Sequence, residues 1–265
     1  MILPQPSPPA AARREQILTL IGEQGFARVA QLSRHFGISE VTIRSDLDAL
    51  AEIQAVLRVH GGAVPNARTS SLEQPFEQSA LTASDEKARI GRAAAALVES
   101  DQAVVLDVGT TTTAIATALL ARDDLRNVVI ITNALNIALA LEAVIPRFTV
   151  IVTGGTLRPL QHSLVDPLAA VVLDQVRGDI AFIGCSGVDV RAGVTNVNLP
   201  EADMKRRMLA AASRRIVVAD SSKLGVAQLS RVAPLDAIDS LITGSEADAS
   251  QLERLTAAGL DVIRA

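Results

Sequence analysis

Residues 27–50 read ARVAQLSRHFGISEVTIRSDLDAL. Apolar side chains recur in this stretch at spacings of three and four residues, as they do on one face of an amphipathic helix. The pattern falls into two sets, Val29, Leu32 and Phe36, then Ile43, Leu47 and Leu50. Gly37 ends the first predicted helix, and the hydroxyl of Ser39 is placed to cap the second. Two short helices joined by a tight turn are typical of a helix-turn-helix that reads DNA.

The polar side of the second predicted helix carries side chains that bond base edges and phosphates. These candidate DNA contacts are Ser39, Glu40, Thr42, Arg44 and Ser45. An ordinary helical hairpin with a solvated face would show the same local pattern. The sequence on either side of the helix pair therefore helps to decide between a DNA-binding helix-turn-helix and an ordinary helical hairpin.

That flanking sequence predicts a winged helix. Residues 13–23 have the apolar spacing of a preceding helix. Residues 56–64 read VLRVHGGAV, two β-favouring runs joined through a glycine pair, which is the signal of a hairpin. Arg58 and His60 lie on this predicted wing, where such side chains contact the phosphate backbone or the adjacent groove. For His60, a role in stabilising the turn is an equal alternative. The predicted DNA-binding domain spans residues 13–64.

Composition narrows the class of protein further. The chain has 265 residues, a formal net charge of −4 and one cysteine, which rules out an internal disulfide and fits a reducing cytoplasm. No apolar run approaches the roughly 18 residues that a membrane span needs. Residues 1–12 are rich in proline and predict a disordered tail. We expect a soluble cytoplasmic protein with two domains and no membrane contact.

The predicted DNA-binding domain carries no net positive charge. Residues 1–66 contain six arginines and six acidic residues. A neutral module can bind DNA if its arginines share one face, but we expect modest non-specific affinity and a need for a second subunit. A homodimer and a homotetramer both satisfy that need.

Beyond a polar linker at residues 65–84, β-branched runs of strand length alternate with helical patterns. The runs are residues 103–108, 128–132, 149–153, 180–184, 216–219, 240–243 and 260–263. Such alternation predicts a mostly parallel sheet with helices on both faces, which makes residues 85–265 an α/β domain. Ligands of these sheets bind beyond the carboxyl ends of the strands.

The loop after the first run, residues 107–113, reads DVGTTTT. Backbone N–H groups at the start of the next helix, together with the hydroxyls, would bind an anion such as a phosphate. A plain threonine cap is the alternative. The loop lacks the Gly-Lys-Thr ending of a nucleotide-triphosphate loop and the three-glycine dinucleotide pattern, which argues against a nucleotide triphosphatase.

Loops after the later runs carry further candidate ligand contacts. Asn133 either caps the next helix or bonds a ligand hydroxyl. Gly154 and Gly155 would let a ligand approach the backbone. Asp189 ends a glycine-rich loop with a carboxylate, and Lys223, just past another strand, would neutralise a phosphate or a sugar oxyanion.

Residue patterns that would indicate a metal site or a catalytic site are weak. The three histidines are scattered and no CxxC or HxxxH spacing occurs, so we expect no zinc and no cofactor. Cys185 is more readily interpreted as a small buried thiol at a strand end than as a nucleophile. An isomerase-like acid/base set is still possible, comprising Asp107, Asp189, Glu201 and Lys223.

Several motifs resemble those of DeoR-type transcriptional regulators. In the first domain they are REQIL at 14–18, FGIS at 36–39, VTIRSDL at 41–47 and RVHGGAV at 58–64. In the second they are EK at 86–87, DVGTT at 107–111, VTGG at 152–155, FIG at 182–184, GVD at 187–189, GVT at 193–195, Glu201 with Lys205, and DSSK at 220–223. The resemblance implies a sensor domain that shares the fold of sugar-phosphate isomerases and binds phosphorylated sugars or related metabolites without catalysis.

Site residues implied by the resemblance follow position by position. The phosphate side comprises Gly109, Thr110, Thr111 and Thr112. The sugar side comprises Asp107, Asn133, Gly155 with the adjacent Gly154, and Asp189, while Lys223 closes the site. Three positions depart from the family pattern: Ser45 replaces a second arginine, Gln54 lies near a usual glycine, and Asp166 stands where glycine is common.

The sequence therefore predicts a DNA-binding transcriptional regulator, a repressor of a carbohydrate-metabolism operon. Its expected partners are double-stranded operator DNA and a phosphorylated sugar or related metabolite, whose binding changes the arrangement of paired winged helices. No catalytic residue is expected. The alternatives are a sugar-phosphate isomerase with an appended DNA-binding module and a structural nucleoid protein.

Overall fold

The computed structural model describes residues 13–14, 16–17, 20–21, 26–52, 56–59, 61–65, 73–165 and 167–265. The chain divides into two compact units, Met1–Glu73 and Gln74–Ala265. Within the described ranges, every helix is too short or too polar to cross a lipid bilayer. The predicted tail and the positions of Gln54, His60 and Asp166 lie outside the described residues.

The first unit contains the predicted helix pair and wing. Its helices are α1 (Val29–Phe36) and α2 (Glu40–Glu52). Its strands are β1 (Ala27–Arg28), β2 (Val56–Val59) and β3 (Gly62–Pro65), antiparallel in the order β1-β3-β2. At the described positions of the predicted first helix the backbone is helical, with Ile17 and Ile21 buried in the same core as the apolar stripes of α1 and α2.

Strand β1 was not predicted, because its two residues pair only with the distant wing. Ala27 lies opposite Ala63, and Arg28 opposite Gly62. A Cβ atom at Gly62 would lie 2.2 Å from the carbonyl oxygen of Ala27, so this pairing requires glycine there. The glycine pair therefore serves the packing of the wing as well as its turn.

Asp46 of α2 ties the first helical segment to the helix pair. Its carboxylate accepts hydrogen bonds from Arg13 Nε at 2.6 Å and Arg14 Nε at 2.9 Å, and its side chain is buried. Burial by itself would raise the pKa of Asp46, but the bonds from the two arginines outweigh it and hold that pKa below its ordinary value. These two arginines thus stabilise the fold of the unit.

The second unit is built on one sheet of seven parallel strands. They are β4 (Ala103–Leu106), β5 (Val128–Thr132), β6 (Phe148–Val152), β9 (Gly178–Gly184), β12 (Ala212–Val218), β14 (Ser240–Thr243) and β15 (Asp261–Arg264). Their order is β15-β14-β12-β9-β4-β5-β6, and each neighbouring pair is parallel. All seven predicted strands are found in this sheet.

Helices cover both faces of the sheet. They are α3 (Phe76–Leu81), α4 (Ser84–Ala95), α5 (Thr110–Leu120), α6 (Leu135–Leu141), α7 (Pro167–Leu173), α8 (Leu199–Ala210) and α9 (Ala249–Ala257). Val104 and Leu106 of β4 belong to one apolar core, and Val105 belongs to the other. This two-sided burial explains the near-continuous apolar strands.

Two small antiparallel sheets lie outside the main one. Strand β7 (Thr156–Arg158) pairs with β8 (Ser163–Val165), and the second sheet has the order β10-β11-β13. Its members are β10 (Gly187–Asp189), β11 (Gly193–Asn196) and β13 (Ser230–Ala233). The β7–β8 hairpin and α7 fill the connection between β6 and β9, for which the sequence predicted no element.

The predicted linker at residues 65–84 is too long at its carboxyl end. Helix α3 falls inside it, yet belongs to the second unit, which begins at Gln74. None of the α3 side chains is buried. Because the helix lacks an apolar stripe, periodicity did not reveal it.

The chain reverses its direction of travel across the sheet between β4 and β9. From β4 it passes outward to β5 and β6, then returns to the other side of β4 and continues through β9, β12, β14 and β15. The carboxyl ends of β4 and β9 therefore flank a topological switch point, where open α/β sheets bind ligands.

Candidate functional site

The exposed face of α2 carries most of the predicted DNA contacts. Ser39 Oγ accepts a hydrogen bond from the Thr42 backbone at 3.2 Å and lies 2.9 Å from Thr42 Oγ1, so it caps the helix as predicted. Arg44 Nη2 donates to Glu40 Oε2 at 2.7 Å, and both side chains are about half exposed. Ser45 is exposed. These residues share one outward surface with little net charge.

Arg58 anchors the wing to α2. Its Nε atom lies 2.9 Å from Asp48 Oδ1, and its Nη1 atom donates to the carbonyl oxygen of Gly62 at 3.3 Å. The guanidinium thus has partners within its own unit, which sequence reasoning did not anticipate. Its contact with DNA stays a prediction, as does that of His60.

Sequence reasoning missed Val41, whose side chain is 72% exposed. Apolar residues were assigned to the core, whereas Val41 points away from the buried stripe of α2. Its angular position on the helix would have revealed this, because it lies about 160° from Ile43 around the axis.

A buried ion pair occupies the switch point of the second unit. Asp107 follows β4, is fully buried, and forms an ion pair with Lys205 of α8. Its Oδ2 atom also accepts a hydrogen bond from the Gly184 backbone at 3.0 Å, which joins the ends of β4 and β9. Its Oδ1 atom has no hydrogen-bond partner among the described residues. One carboxylate oxygen is thus free to accept a hydrogen bond.

Opposing effects set the charge of this pair. Burial raises the pKa of Asp107 to about 6, although Lys205 acts in the other direction. Burial would lower the pKa of Lys205, but the charges of Asp107 and Glu201 outweigh it and raise that pKa. Both groups are therefore charged at neutral pH.

Glu201, one helical turn before Lys205, connects α8 to the β7–β8 hairpin. Its Oε1 atom accepts a hydrogen bond from Ser163 Oγ at 2.6 Å and forms an ion pair with Arg158. Sequence reasoning named Glu201 and Lys205 but not Arg158 or Ser163. Nothing in the local pattern of the hairpin identifies these two as partners of a carboxylate 43 and 38 residues away.

The threonine-rich loop presents fewer free groups than its sequence suggests. The carbonyl oxygen of Gly109 accepts hydrogen bonds from Thr112 Oγ1 at 2.9 Å and Thr113 Oγ1 at 2.8 Å. The hydroxyls of Thr110 and Thr111 make no hydrogen bond with the described residues. Together with the unpaired N–H groups of the first turn of α5, they are the donors open to an anion.

Asn133 links two loops and does not cap the following helix. Its Oδ1 atom accepts from the Val108 backbone at 3.0 Å, and its Nδ2 atom donates to the carbonyl oxygen of Leu164 at 3.3 Å. Helix α6 has Ala134 at its cap position and no side-chain cap bond. The cap alternative is therefore wrong, and contact of this fully buried amide with a ligand stays a prediction.

The paired glycines have different surroundings. A Cβ atom at Gly155, where φ is +112°, would lie 2.5 Å from the Val165 carbonyl oxygen and 2.8 Å from Ala169 Cβ. At Gly154, where φ is +69°, the same atom would meet nothing within 4 Å. Gly155 is thus needed for the approach of β8 and α7, whereas a side chain at Gly154 would meet open space. Both glycines are exposed, and their contact with a ligand stays a prediction.

The last two predicted site residues differ in how free their side chains are. Asp189 accepts hydrogen bonds from the backbones of Arg191 and Ala192, both at 2.8 Å, and these bonds hold its pKa below the ordinary value. It therefore closes the β10–β11 turn. Lys223 ends a short turn that Asp220 caps, and its ammonium makes no ion pair or hydrogen bond with the described residues.

Lys223 and Lys205 both lie near the thiol of Cys185. Burial raises the pKa of Cys185 to about 12, against the opposing effect of these two cations. The thiol is consequently protonated at neutral pH, as expected of a structural cysteine. Within the described residues, no group of histidine, cysteine and carboxylate side chains forms a metal site.

Comparison with known proteins identifies both units. The DeoR-like helix-turn-helix domain family matches residues 13–69, and the DeoR C terminal sensor domain family matches residues 82–245. The glycerol-3-phosphate regulon repressor of Escherichia coli K12 is 32% identical, over 92% of this chain and 94% of its own. The HTH-type transcriptional regulator GlpR of Haloferax volcanii is 34% identical, over 96% and 97%.

Solved structures that match parts of the chain include a ribose 5-phosphate isomerase A from Methanocaldococcus jannaschii. It has a TM-score of 0.40 and 18% identity, over 54% of this chain and 55% of that one. The sorbitol operon regulator SorC from Klebsiella pneumoniae has a TM-score of 0.39 and 14% identity, over 94% and 99%. The curated relatives compared above are transcriptional regulators. With both domain families and these relatives in agreement, the chain belongs to the DeoR family of transcriptional regulators.

Proposed function

We propose that this regulator represses a carbohydrate-metabolism operon and that a phosphorylated sugar or related metabolite controls its hold on operator DNA. The observation that carries the proposal is that anion donors at the start of α5 and a carboxylate oxygen of Asp107, two residues before Gly109, both have no partner among the described residues. An anion and a hydroxyl-bearing skeleton on one molecule would satisfy both.

The candidate site has complementary groups for both the anionic part and the hydroxyl-bearing part of that ligand. The N–H groups of the first turn of α5 and the hydroxyls of Thr110 and Thr111 donate to a phosphate, and the positive end of the helix dipole favours its charge. Asp107 Oδ1 only accepts, so it suits a sugar hydroxyl and disfavours a second anion. Lys223, which has no ion pair or hydrogen bond with the described residues, supplies a cation for the phosphate.

Several residues of the isomerase-like acid/base set have structural roles in this chain. Asp107 is paired with Lys205, Glu201 binds Arg158 and Ser163, and Asp189 closes a turn. Proton transfer requires a base that can reach the substrate. Glu201 and Asp189 are engaged elsewhere, and Asp107 reaches the ligand in our proposal only as a hydrogen-bond acceptor, so we propose binding and release without turnover.

Helix α3 is the part of the sensor domain that meets the linker, and polar contacts fix its carboxyl end. Lys87 Nζ donates to the carbonyl oxygens of Ser79 and Thr82, both at 2.7 Å, and lies 3.9 Å from Asp220 Oδ2. Asp220 caps the turn that ends in Lys223. A ligand that draws Lys223 inward would therefore pull on α3.

The other end of α3 is attached to the β7–β8 turn. The Phe76 backbone donates to the Leu160 carbonyl oxygen at 2.9 Å, and His162 Nε2 lies 2.8 Å from Glu77 Oε1. The same hairpin carries Arg158 and Ser163, the partners of Glu201. Helix α3 is thus joined to two loops of the candidate site, and through residues 66–75 to the winged helix, so it conveys the effector signal.

Operator binding requires at least two copies, since a helix-turn-helix reads paired half-sites. We infer a homodimer or homotetramer acting on DNA in the cytoplasm. An effector changes the distance or angle between the paired winged helices, because it binds one arrangement better than the other.

A thermal-shift screen of the full chain tests the proposal. Phosphorylated pentoses, hexoses and polyols are compared with their dephosphorylated forms, and any stabilising compound is added to a complex with DNA selected from a random library. We expect a phosphorylated compound to raise the melting temperature and to release the DNA. Equal shifts by phosphorylated and dephosphorylated partners would contradict the phosphate site.

A further inference from the structure

The middle of the outward face of α2 is an apolar side chain. Val41 is 72% exposed, whereas Ile43 and Leu47 are fully buried on the opposite side. Ser45 lies one turn further along the same face, also exposed. A valine exposed to this degree buries little apolar surface in the free protein, and its place on the outward face of a helix-turn-helix raises the question of what it contacts in a complex.

Val41 lies where a recognition helix meets base edges. It is the second residue of α2, and the amino-terminal residues of such a helix enter the major groove. The floor of that groove presents polar donors and acceptors and one apolar group, the C5 methyl of thymine. A valine brought to that floor is complementary to this methyl group alone.

The neighbouring charged side chains strengthen this assignment. Arg44, the side chain on this face best suited to guanine, is engaged by Glu40 at 2.7 Å. Asp48 is engaged by Arg58 at 2.9 Å. Val41 therefore differs from both in having no partner to give up when the helix enters the groove.

We propose that Val41 reads a thymine methyl group in each operator half-site and so selects an A·T pair at that position. The inference rests on the DNA-binding function of the family and adds a specificity residue to it. Packing of the two methyl groups of valine against one thymine methyl buries about one methyl-sized surface, which corresponds to a roughly fourfold gain in affinity per half-site.

The test removes the methyl groups of Val41 and the methyl group of thymine in separate variants. DNA bound by the full chain is selected from a random library, and each thymine of a half-site is replaced by uracil, which lacks only the methyl group. Dissociation constants are then measured by fluorescence anisotropy for the wild type, Val41→Ala and Val171→Ala. Val171 is an equally small exposed side chain on α7 of the sensor domain.

One thymine is expected to show coupling to Val41. Its replacement by uracil weakens the wild type and Val171→Ala about fourfold per half-site and leaves Val41→Ala unchanged. If every replacement affects Val41→Ala as it affects the wild type, the proposal is wrong. A change in sedimentation of Val41→Ala without DNA, again with no coupling, would assign this face to a second copy instead and also overturn it.

The outcome also separates this inference from the function on which it rests. A chain that selects no sequence from the library contradicts the regulator assignment. A chain that selects a sequence but shows no methyl coupling contradicts only the role of Val41. Because Val41 is exposed, Val41→Ala is expected to keep the melting temperature of the wild type, which the same preparation verifies.

Discussion

The ammonium of Lys87 lies 2.7 Å from the carbonyl oxygen of Thr82, directly after the last residue of α3. Helix α3 buries none of its own side chains, so polar contacts of this kind hold it in place. The position of this short helix therefore depends on a few polar contacts, and a change in those contacts can displace it. That property suits the element that receives the effector signal.

Replacing Lys87 with methionine should release α3 while preserving the apolar stem of the side chain. Two carbonyl oxygens lose a charged donor, and hydrogen bonds to charged groups contribute about 1.5–3 kcal/mol. Amide hydrogen exchange in Phe76–Leu81 is expected to accelerate at least tenfold, and operator binding to lose its response to effector. Arg92→Met, an exposed position on the same helix, serves as the control and should behave as the wild type.

Thr111→Val should weaken effector binding about tenfold and leave operator affinity unchanged. The substitution keeps the shape of the side chain but removes a hydroxyl that has no partner among the described residues, and the lost bond to a charged phosphate sets the magnitude. Thr117→Val, on the same helix and exposed, is the matched control. Isothermal titration with the ligand identified by thermal shift measures both. Equal affinities for the two variants would exclude Thr111 from the phosphate site.

The ionisation of Asp107 should lower the free energy of unfolding as the pH rises. Its folded pKa of about 6 exceeds the ordinary value of 3.8, so the folded state binds the proton more tightly than the unfolded chain does. This contribution is complete below pH 3.8 and is lost as pH rises through 6. Over that window it amounts to about 3 kcal/mol.

Urea unfolding of the wild type and Asp107→Asn between pH 4 and 6.5 measures this loss. Asparagine does not titrate, so the free energy of unfolding of the wild type should fall relative to that of the variant across the window. A constant difference between the two proteins would show that Asp107 is ionised throughout.

Alanine at the two paired glycines should have unequal effects. At Gly155 the new methyl group overlaps the Val165 carbonyl oxygen and Ala169, and we expect a loss of about 3 kcal/mol in the free energy of unfolding. At Gly154 only the left-handed backbone is penalised, which costs about 1 kcal/mol. Denaturant midpoints of the two variants provide the comparison. Equal losses would mean that the contact at Gly155 relaxes without strain.

The main sheet and the helix pair were predictable because their signals are local. A run such as residues 128–132 is β-branched throughout, and β5 has these same bounds. Strand β1 and the β7–β8 hairpin have two or three residues per strand and depend on distant partners. Short strands of this kind carry no periodicity of their own, so the sequence did not predict them.

The candidate site was predictable only in outline. Strand ends rich in glycine and threonine located the loops, as at Gly109 and Gly154, but not the contacts within them. Asp107 and Lys205 are 98 residues apart, and their pairing follows from the switch in strand order. Position along the chain likewise could not separate Gly155, which packs against α7, from Gly154, which is open.

The pairing of Arg44 with Glu40 has a consequence for the dependence of DNA binding on ionic strength. Each cation that neutralises a DNA phosphate displaces condensed counterions and steepens the fall of affinity with salt by about 0.9 on a logarithmic scale. In the free protein Arg44 and Arg58 are each paired with a carboxylate, and Arg14 is bound to Asp46. The affinity of the operator complex is therefore expected to fall less steeply with salt concentration than that of a reader whose arginines are unpaired.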